Sequence, residues 1–241
     1  MAIPWSSPFI WTRFTTAALQ VLAPPGVEVR WYFGPGWCPA ARHHRAVRAA
    51  RDGGADFICL FGADQIAHPD LLPRLWAHVQ SGHPVITALV PTRGYFAHNA
   101  GTTPFQPLAW RWKSGVDILK YKNQHDTPGM VEILHADTGL QPVHFIGSGC
   151  FMFPTDLLAS LKQPWFKETF NPTTYERFAH MDTMFCWSIL EQLHIPVYCD
   201  TDLKIRHLHD MAIDDTFQHR FDDWATNASV DPTIIQLTKF R

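Results

Sequence analysis

Charge is scarce in this chain. Only 17% of its 241 residues are Asp, Glu, Lys or Arg, and the formal net charge is -2. No global basic field therefore advertises a nucleic-acid or membrane-surface partner. Long apolar runs are missing as well: none approaches the roughly 20 residues of a membrane-spanning helix. The opening MAIPWSSPFIW lacks the charged segment and long apolar core of a secretory leader. The five cysteines (Cys38, Cys59, Cys150, Cys186 and Cys199) are odd in number, widely spaced and without a CxxC pair. They are expected to be reduced core residues of a cytoplasmic protein. No internal repeat is visible. Histidine and tryptophan are plentiful, at 14 and 10. The histidines are scattered, and only His207 and His209 stand beside strand-like sequence and acids.

A chain of this length can bury a full core and is most simply one domain. Its most informative stretch is Asp56–Leu72, DFICLFGADQIAHPDLL. Phe57 to Gly62 is almost wholly apolar and uncharged, the pattern of a strand buried on both faces within a parallel sheet. The run breaks at Gly62 and delivers one carboxylate, Asp64, just past the strand end. Pro69 and Asp70 then open a helix over 71–79. In open α/β sheets ligands bind outside the carboxyl ends of strands, which makes Asp64 a site candidate.

The rest of the chain fits that frame. Residues 1–11 leave room for a brief first strand, and 15–22 reads as a helix stopped by Ala23-Pro24-Pro25-Gly26. Residues 27–33 alternate like a strand, ending at Gly34-Pro35-Gly36. Residues 40–51 are strong helix formers closed by Asp52-Gly53-Gly54. With the Asp56 strand, the 70–80 helix and a strand over 84–90, the pattern is βαβαβ, as in a parallel sheet flanked by helices. From Pro91 to Pro142 it dissolves into Gly, Pro, Thr, Asn and aromatics, the composition of a functional or mobile segment. Order returns at 143–146, Gly147-Ser148-Gly149 and the apolar 150–153. Helices are expected over 154–161 and 182–193, and strands over 195–200 and 204–208. Residues 210–241 are expected to form a tail folding over the site.

Three constellations can carry chemistry: Asp64; the Arg206–Asp210 stretch, whose imidazoles suit Mn²⁺ better than Mg²⁺; and Asp182, preceded by His180. Each also has a plainer role, as turn former, surface histidine or helix cap. Arg42, Arg45, Arg48 and Arg51 recur every third residue, a step that drifts around a helix. They read as a solvated face from which Arg42 or Arg45 could reach a diphosphate. Gly147–Gly149 is either a tight turn or a place of close substrate approach. Trp165-Phe166 and Trp110-Arg111-Trp112 are stacking platforms or core.

The order of these pieces resembles family 2 glycosyltransferases of the GT-A fold, particularly small bacterial and phage-like members, from about Val27 to Leu208. RHHRAVRAARDGGADF and LFGADQIAHPDLL resemble the family's helix and its strand–DxD–helix element. VITALVPTRG resembles the next strand and loop, and HFIGSGCFMFPTDLL followed by PWF the acceptor-side strand. MDTMFCWSILEQLHIPVYCDTDLKIRHL resembles the helix with its acid, a strand and a terminal metal-binding histidine.

The resemblance implies a GT-A, Rossmann-like fold with a mostly parallel central sheet, spanning residues 1–209. Asp64 falls at the last acid of the DxD, while Gly62 and Ala63 replace its first two positions. Donor-side residues are then Pro4, Arg42, Arg45, Gly62 and Asp64. Metal ligands are Asp64 and His207, with His209 as second choice, for Mn²⁺ or Mg²⁺. Asp182 falls at the general base, and Gly147, Ser148, Gly149 and Trp165 shape the acceptor pocket. The implied activity is inverting transfer from a nucleotide-diphosphate sugar, a UDP-sugar first, to an acceptor hydroxyl. The acceptor is a saccharide or lipid-linked sugar; a modified DNA base is conceivable but not favoured by the charge. Rival readings are a nucleotidyltransferase and a non-catalytic nucleotide- or sugar-binding domain. The former usually carries a basic, Gly-rich N-terminal loop, whereas residues 3–14 offer only Arg13.

Overall fold

The computed structural model describes residues 1–5, 12–91, 108–112, 130–132, 138–170, 173, 177–208 and 212–213. The first half holds β1 (Ala2–Trp5), α1 (Thr12–Gln20), β2 (Tyr32–Pro35), α2 (Pro39–Asp52), β3 (Phe57–Phe61), β4 (Gln65–Ile66), α3 (Leu71–Gln80) and β5 (Ile86–Leu89). Next come β6 (Ala109–Trp112), β7 (Met130–Glu132), β8 (Leu140–Val143), β9 (Phe145–Ile146), β10 (Cys150–Pro154) and α4 (Leu157–Ser160). The last part holds β11 (Thr169–Phe170), β12 (Arg177–Ala179), α5 (Met181–Ser188), β13 (Val197–Lys204), β14 (Arg206–Leu208) and β15 (Ala212–Ile213).

Seven strands form the central sheet in the order β2-β1-β3-β10-β5-β13-β8. The pairs β1–β2, β1–β3 and β5–β13 are parallel, while β10 and β8 run against their neighbours. Five strands thus share one direction: a mostly parallel, Rossmann-like sheet. Both faces are covered, because alternate residues of one strand enter different cores. Ile58 and Leu60 join Ala46, Val47 and Ala50 of α2 and Phe185 and Trp187 of α5. Cys59 and Phe61 point the other way, to Phe14 of α1 and Leu71, Leu72 and Leu75 of α3. Four of the five cysteines are buried, all five are free, and Cys38 is partly exposed.

Element positions differ from the sequence reading in several places, among them α1, expected over 15–22 and found at Thr12–Gln20. The strand expected over 27–33 is Tyr32–Pro35, because its partner β1 has only four residues, pairing Ala2 with Tyr32 and Trp5 with Pro35. On this outer strand Pro35 needs no second ladder partner. The helix expected over 154–161 shrinks to α4. The helix expected through 193 widens into a π-helical turn, Ile189–Leu193, which ends at His194 in the left-handed region (φ 55°). The two strands expected over 195–208 divide later, after Lys204. No helix among the described residues is long and apolar enough to cross a membrane.

One ion pair fixes where the chain leaves the sheet. Asp200, 2% exposed on β13, accepts from Arg74 Nη2 at 2.9 and 2.8 Å. His78 Nε2 lies 3.0 Å from the same carboxylate. The amides of Asp202 and Leu203 donate to it at 3.1 and 3.2 Å, where the β13 register shifts. Helix α3 is thereby pinned to the bulge that turns the chain toward β14. Removing one partner of a buried pair leaves a carboxylate poorly solvated and costs about 3–5 kcal/mol. Arg74→Met is expected near the lower end of that range in urea denaturation, since the amides and His78 remain. Arg48→Met, whose contact with Asp52 is exposed at 3.5 Å, is expected to change stability by less than about 1 kcal/mol.

Candidate functional site

Strand β3 ends at Phe61, and the chain turns through Gly62-Ala63-Asp64. The Gln65 amide donates to Gly62 O at 3.2 Å. Immediately afterwards β4 pairs antiparallel with β14, setting Gln65 opposite His207 and Ile66 opposite Arg206. The Leu208 amide closes this ladder on Asp64 O at 2.6 Å. Asp64 Oδ2 then lies 3.4 Å from His207 Nε2. His207 is buried, and its Nδ1–H donates to Pro91 O at 2.8 Å. That bond orients the ring and turns Nε2 toward the carboxylate.

Glycine at 62 has a local reason. A Cβ there would lie 2.9 Å from Asp64 Oδ1 and 3.1 Å from Gln65 Cδ. A side chain at 62 would therefore require the Asp64 carboxylate or the Gln65 amide to shift.

The Gly147-Ser148-Gly149 turn links this acid to a second one. Gly149 O accepts from the Gly62 amide at 2.8 Å, and a Cβ on Gly149 would stand 1.9 Å from Gln65 Nε2. Gly147 packs against Leu108 and donates to its carbonyl at 2.8 Å. Between them, the Ser148 amide donates to Asp182 Oδ2 at 3.3 Å. Asp182 stands in the first turn of α5, where its Oδ1 also accepts from the Thr183 amide at 2.8 Å. An acid suits this end of a helix, yet the residue before the helix is His180, which makes no side-chain cap bond.

Other expected site residues stand elsewhere. Arg42 Nε donates to Gly36 O at 2.8 Å, and Arg45 Nη1 to Pro35 O at 2.7 Å. Both brace the β2–α2 loop. Pro4 is buried in β1, in register with Gly34. Trp165 is 2% exposed, donates Nε1–H to Leu158 O at 3.2 Å and lies under Arg51. It is a core residue rather than a platform open to a ligand. His209, most of 91–142 and nearly all of 210–241 lie outside the described residues. Of the expected tail, β15 pairs with β14, setting Ile213 opposite His207.

One buried histidine was not singled out by sequence reasoning. His43, in the first turns of α2, is buried, donates Nδ1–H to Pro39 O at 2.8 Å and packs on Phe166 with ring centroids 5.5 Å apart. Burial lowers its basicity, while the charges of Asp182 and Asp64 act in the opposite sense. In the sequence only its place just after a strand end set it apart.

The pair Asp64–His207 fits a divalent cation. Two ligand atoms about 2.1–2.2 Å from one ion lie roughly 3.0–3.5 Å apart when adjacent, and these two acceptors are 3.4 Å apart. Gln65 Oε1 beside them is fully buried without a hydrogen-bond partner. No group of three His, Cys, Asp or Glu converges among the described residues. An open cleft of about 430 Å³ lies instead at the amino-terminal ends of β1 and β3, lined by Met1, Arg30, Tyr32 and Asp56. It holds neither acid of the site.

No family model and no curated protein matches the chain. Among solved structures it is similar to "Crystal Structure of A197 from STIV", at 16% identity and TM-score 0.42 over 73% of this chain and 71% of that one. It is also similar to apo UDP-glucose pyrophosphorylase, at 10% identity and TM-score 0.33, over 65% of this chain and half of that one. Likenesses of this size carry no inference about function, which rests on the site itself.

The turn is testable by packing. Gly149→Ala forces Gln65 to move and is expected to destabilise by about 1–3 kcal/mol in thermal denaturation. Combining it with Gln65→Ala should recover part of that loss, because the two changes share one contact. A purely additive pair would show that Gly149 and Gln65 do not press on one another.

Proposed function

We propose that the chain is a cation-assisted glycosyltransferase, moving a sugar from a nucleotide-diphosphate donor to an acceptor hydroxyl with inversion at the anomeric carbon. The observation that carries this reading is the Asp64–His207 pair at the carboxyl end of β3, joined to Asp182 through the backbone of Gly147–Gly149. A metal-ligating pair next to a lone carboxylate provides the two functions the reaction needs: charge stabilisation on the leaving group and proton removal from the nucleophile.

Asp64 and His207 would hold the cation, Mn²⁺ before Mg²⁺ because one ligand is nitrogen. When bound, it supplies Lewis-acid neutralisation of the charge that grows on the departing diphosphate. Pro91 O keeps His207 in the ligating tautomer, and the β4–β14 ladder keeps the two side chains facing. Asp182 takes the proton from the acceptor hydroxyl as its oxygen bonds to the anomeric carbon. The bond from that carbon to the β-phosphate oxygen breaks, and its electron pair stays on the nucleoside diphosphate. The Ser148 and Thr183 amides fix the Asp182 carboxylate for this step. Transfer to a saccharide or lipid-linked sugar agrees with the near-neutral charge; a DNA acceptor would call for clustered basic residues.

Thermal denaturation with UDP, GDP and their sugars, with and without Mn²⁺, tests the donor side. A ligand at a hundred times its Kd stabilises by about 2.7 kcal/mol. A Mn²⁺-dependent shift with one nucleotide is expected in the native chain and lost in Asp64→Asn and His207→Ala. No shift with any nucleotide contradicts the reading. On the acceptor side, Asp182→Asn should keep the shift while turnover falls by about 10²–10⁴-fold. Unchanged turnover would remove Asp182 from the role of base.

A further inference from the structure

Gln65 follows Asp64 directly and is 1% exposed, yet its side-chain oxygen Oε1 is enclosed without a hydrogen-bond partner. A buried acceptor left unpaired costs free energy. An apolar side chain of similar size would fill the space beside Val90 and Gly149 without that cost. A carboxamide kept in such a place points to a ligand for its oxygen.

Three observations place this carboxamide at the Asp64–His207 pair. In the β4–β14 ladder Gln65 and His207 stand directly opposite one another. Their side chains therefore leave the same face, with Cβ atoms about 4.5–5.5 Å apart. His207 Nε2 lies 3.4 Å from Asp64 Oδ2. The other carboxylate oxygen meets the carboxamide over Gly62, where a Cβ would stand 2.9 Å from Asp64 Oδ1 and 3.1 Å from both Cδ and Nε2 of Gln65. The amide nitrogen rests against Gly149, and Oε1 is the farther of the two atoms from that glycine.

A carboxamide oxygen is a neutral, hard ligand that divalent cations take beside carboxylates. No third His, Cys, Asp or Glu converges on the pair among the described residues, and Gln65 offers a third donor of another kind. We infer that Gln65 Oε1 is the third protein ligand of the cation held by Asp64 and His207. Because this ligand is neutral, a divalent ion with Asp64 as its one charged ligand keeps a positive charge for an anionic diphosphate. The inference rests on the cation-assisted reading above, and its test separates the two.

The experiment titrates Mn²⁺ into the chain and follows the paramagnetic resonance signal of the free ion, with Mn²⁺ alone and then with UDP or GDP. Gln65→Leu removes the oxygen at similar size, and Mn²⁺ affinity is expected to fall about tenfold or more, since even outer-shell partners of a metal are felt on that scale. Gln65→Glu keeps an oxygen and adds charge, and its affinity is expected at or above the native one. A residue that only packs would not separate the two variants, because both lose the amide. Equal losses, or no loss in Gln65→Leu, overturn the inference while the Asp64–His207 site stands. Should Gln65→Leu not fold, Gln65→Glu decides alone, and weaker Mn²⁺ binding there overturns it. A native chain that takes up no Mn²⁺ under either condition refutes the cation site itself, and the third ligand falls with it.

Discussion

The site depends on a backbone crossing, not on any one side chain. Gly149 O receives the Gly62 amide, and one residue earlier the Ser148 amide reaches Asp182. The turn between β9 and β10 therefore holds the end of β3 on one side and the start of α5 on the other. Because β10 runs antiparallel between β3 and β5, its amino-terminal end meets their carboxyl ends. That reversal brings a glycine turn to the place where an otherwise parallel sheet would present only loops. Close approach is possible because Gly147 and Gly149 lack the Cβ atoms that would strike Leu108 and Gln65.

A second constraint acts through the β13 bulge. Asp200 gathers Arg74, His78 and two backbone amides, and the chain leaves this knot toward β14 and His207. His207 is thus placed by a buried ion pair seven residues upstream and by a two-strand ladder to β4. Both decide whether Nε2 of His207 faces Asp64.

Much of this was legible in the chain because buried strands write themselves plainly. The run 57–61 has no charge and sits between a helix-closing Gly53-Gly54 and a Gly62 break, so both its position and the exit of Asp64 could be read. Helix α3 was legible for a similar reason, with Pro69 near its start, and α2 from its run of strong helix formers closed by Asp52-Gly53-Gly54. Long-range pairing was not. Nothing local to Tyr32–Pro35 says that its ladder is limited by a four-residue β1, and the alternation of 27–31 has no neighbouring strand to answer it. Trp165 beside Pro164 offers the same letters for a platform and for a core, and only the bond to Leu158 O decides between them. Arg42 and Arg45 look free in a helix pattern but brace the preceding loop. His43 was not singled out because its packing partner Phe166 is far away in sequence.

Electron paramagnetic resonance of Mn²⁺ bound with UDP or GDP, on chain labelled with ¹⁵N-histidine, tests the central claim most directly. The account predicts hyperfine coupling from one directly bound imidazole nitrogen, lost in His207→Ala, with the Mn²⁺ signal itself weakened in Asp64→Asn. A spectrum without nitrogen coupling, or one that His207→Ala leaves unchanged, would contradict it.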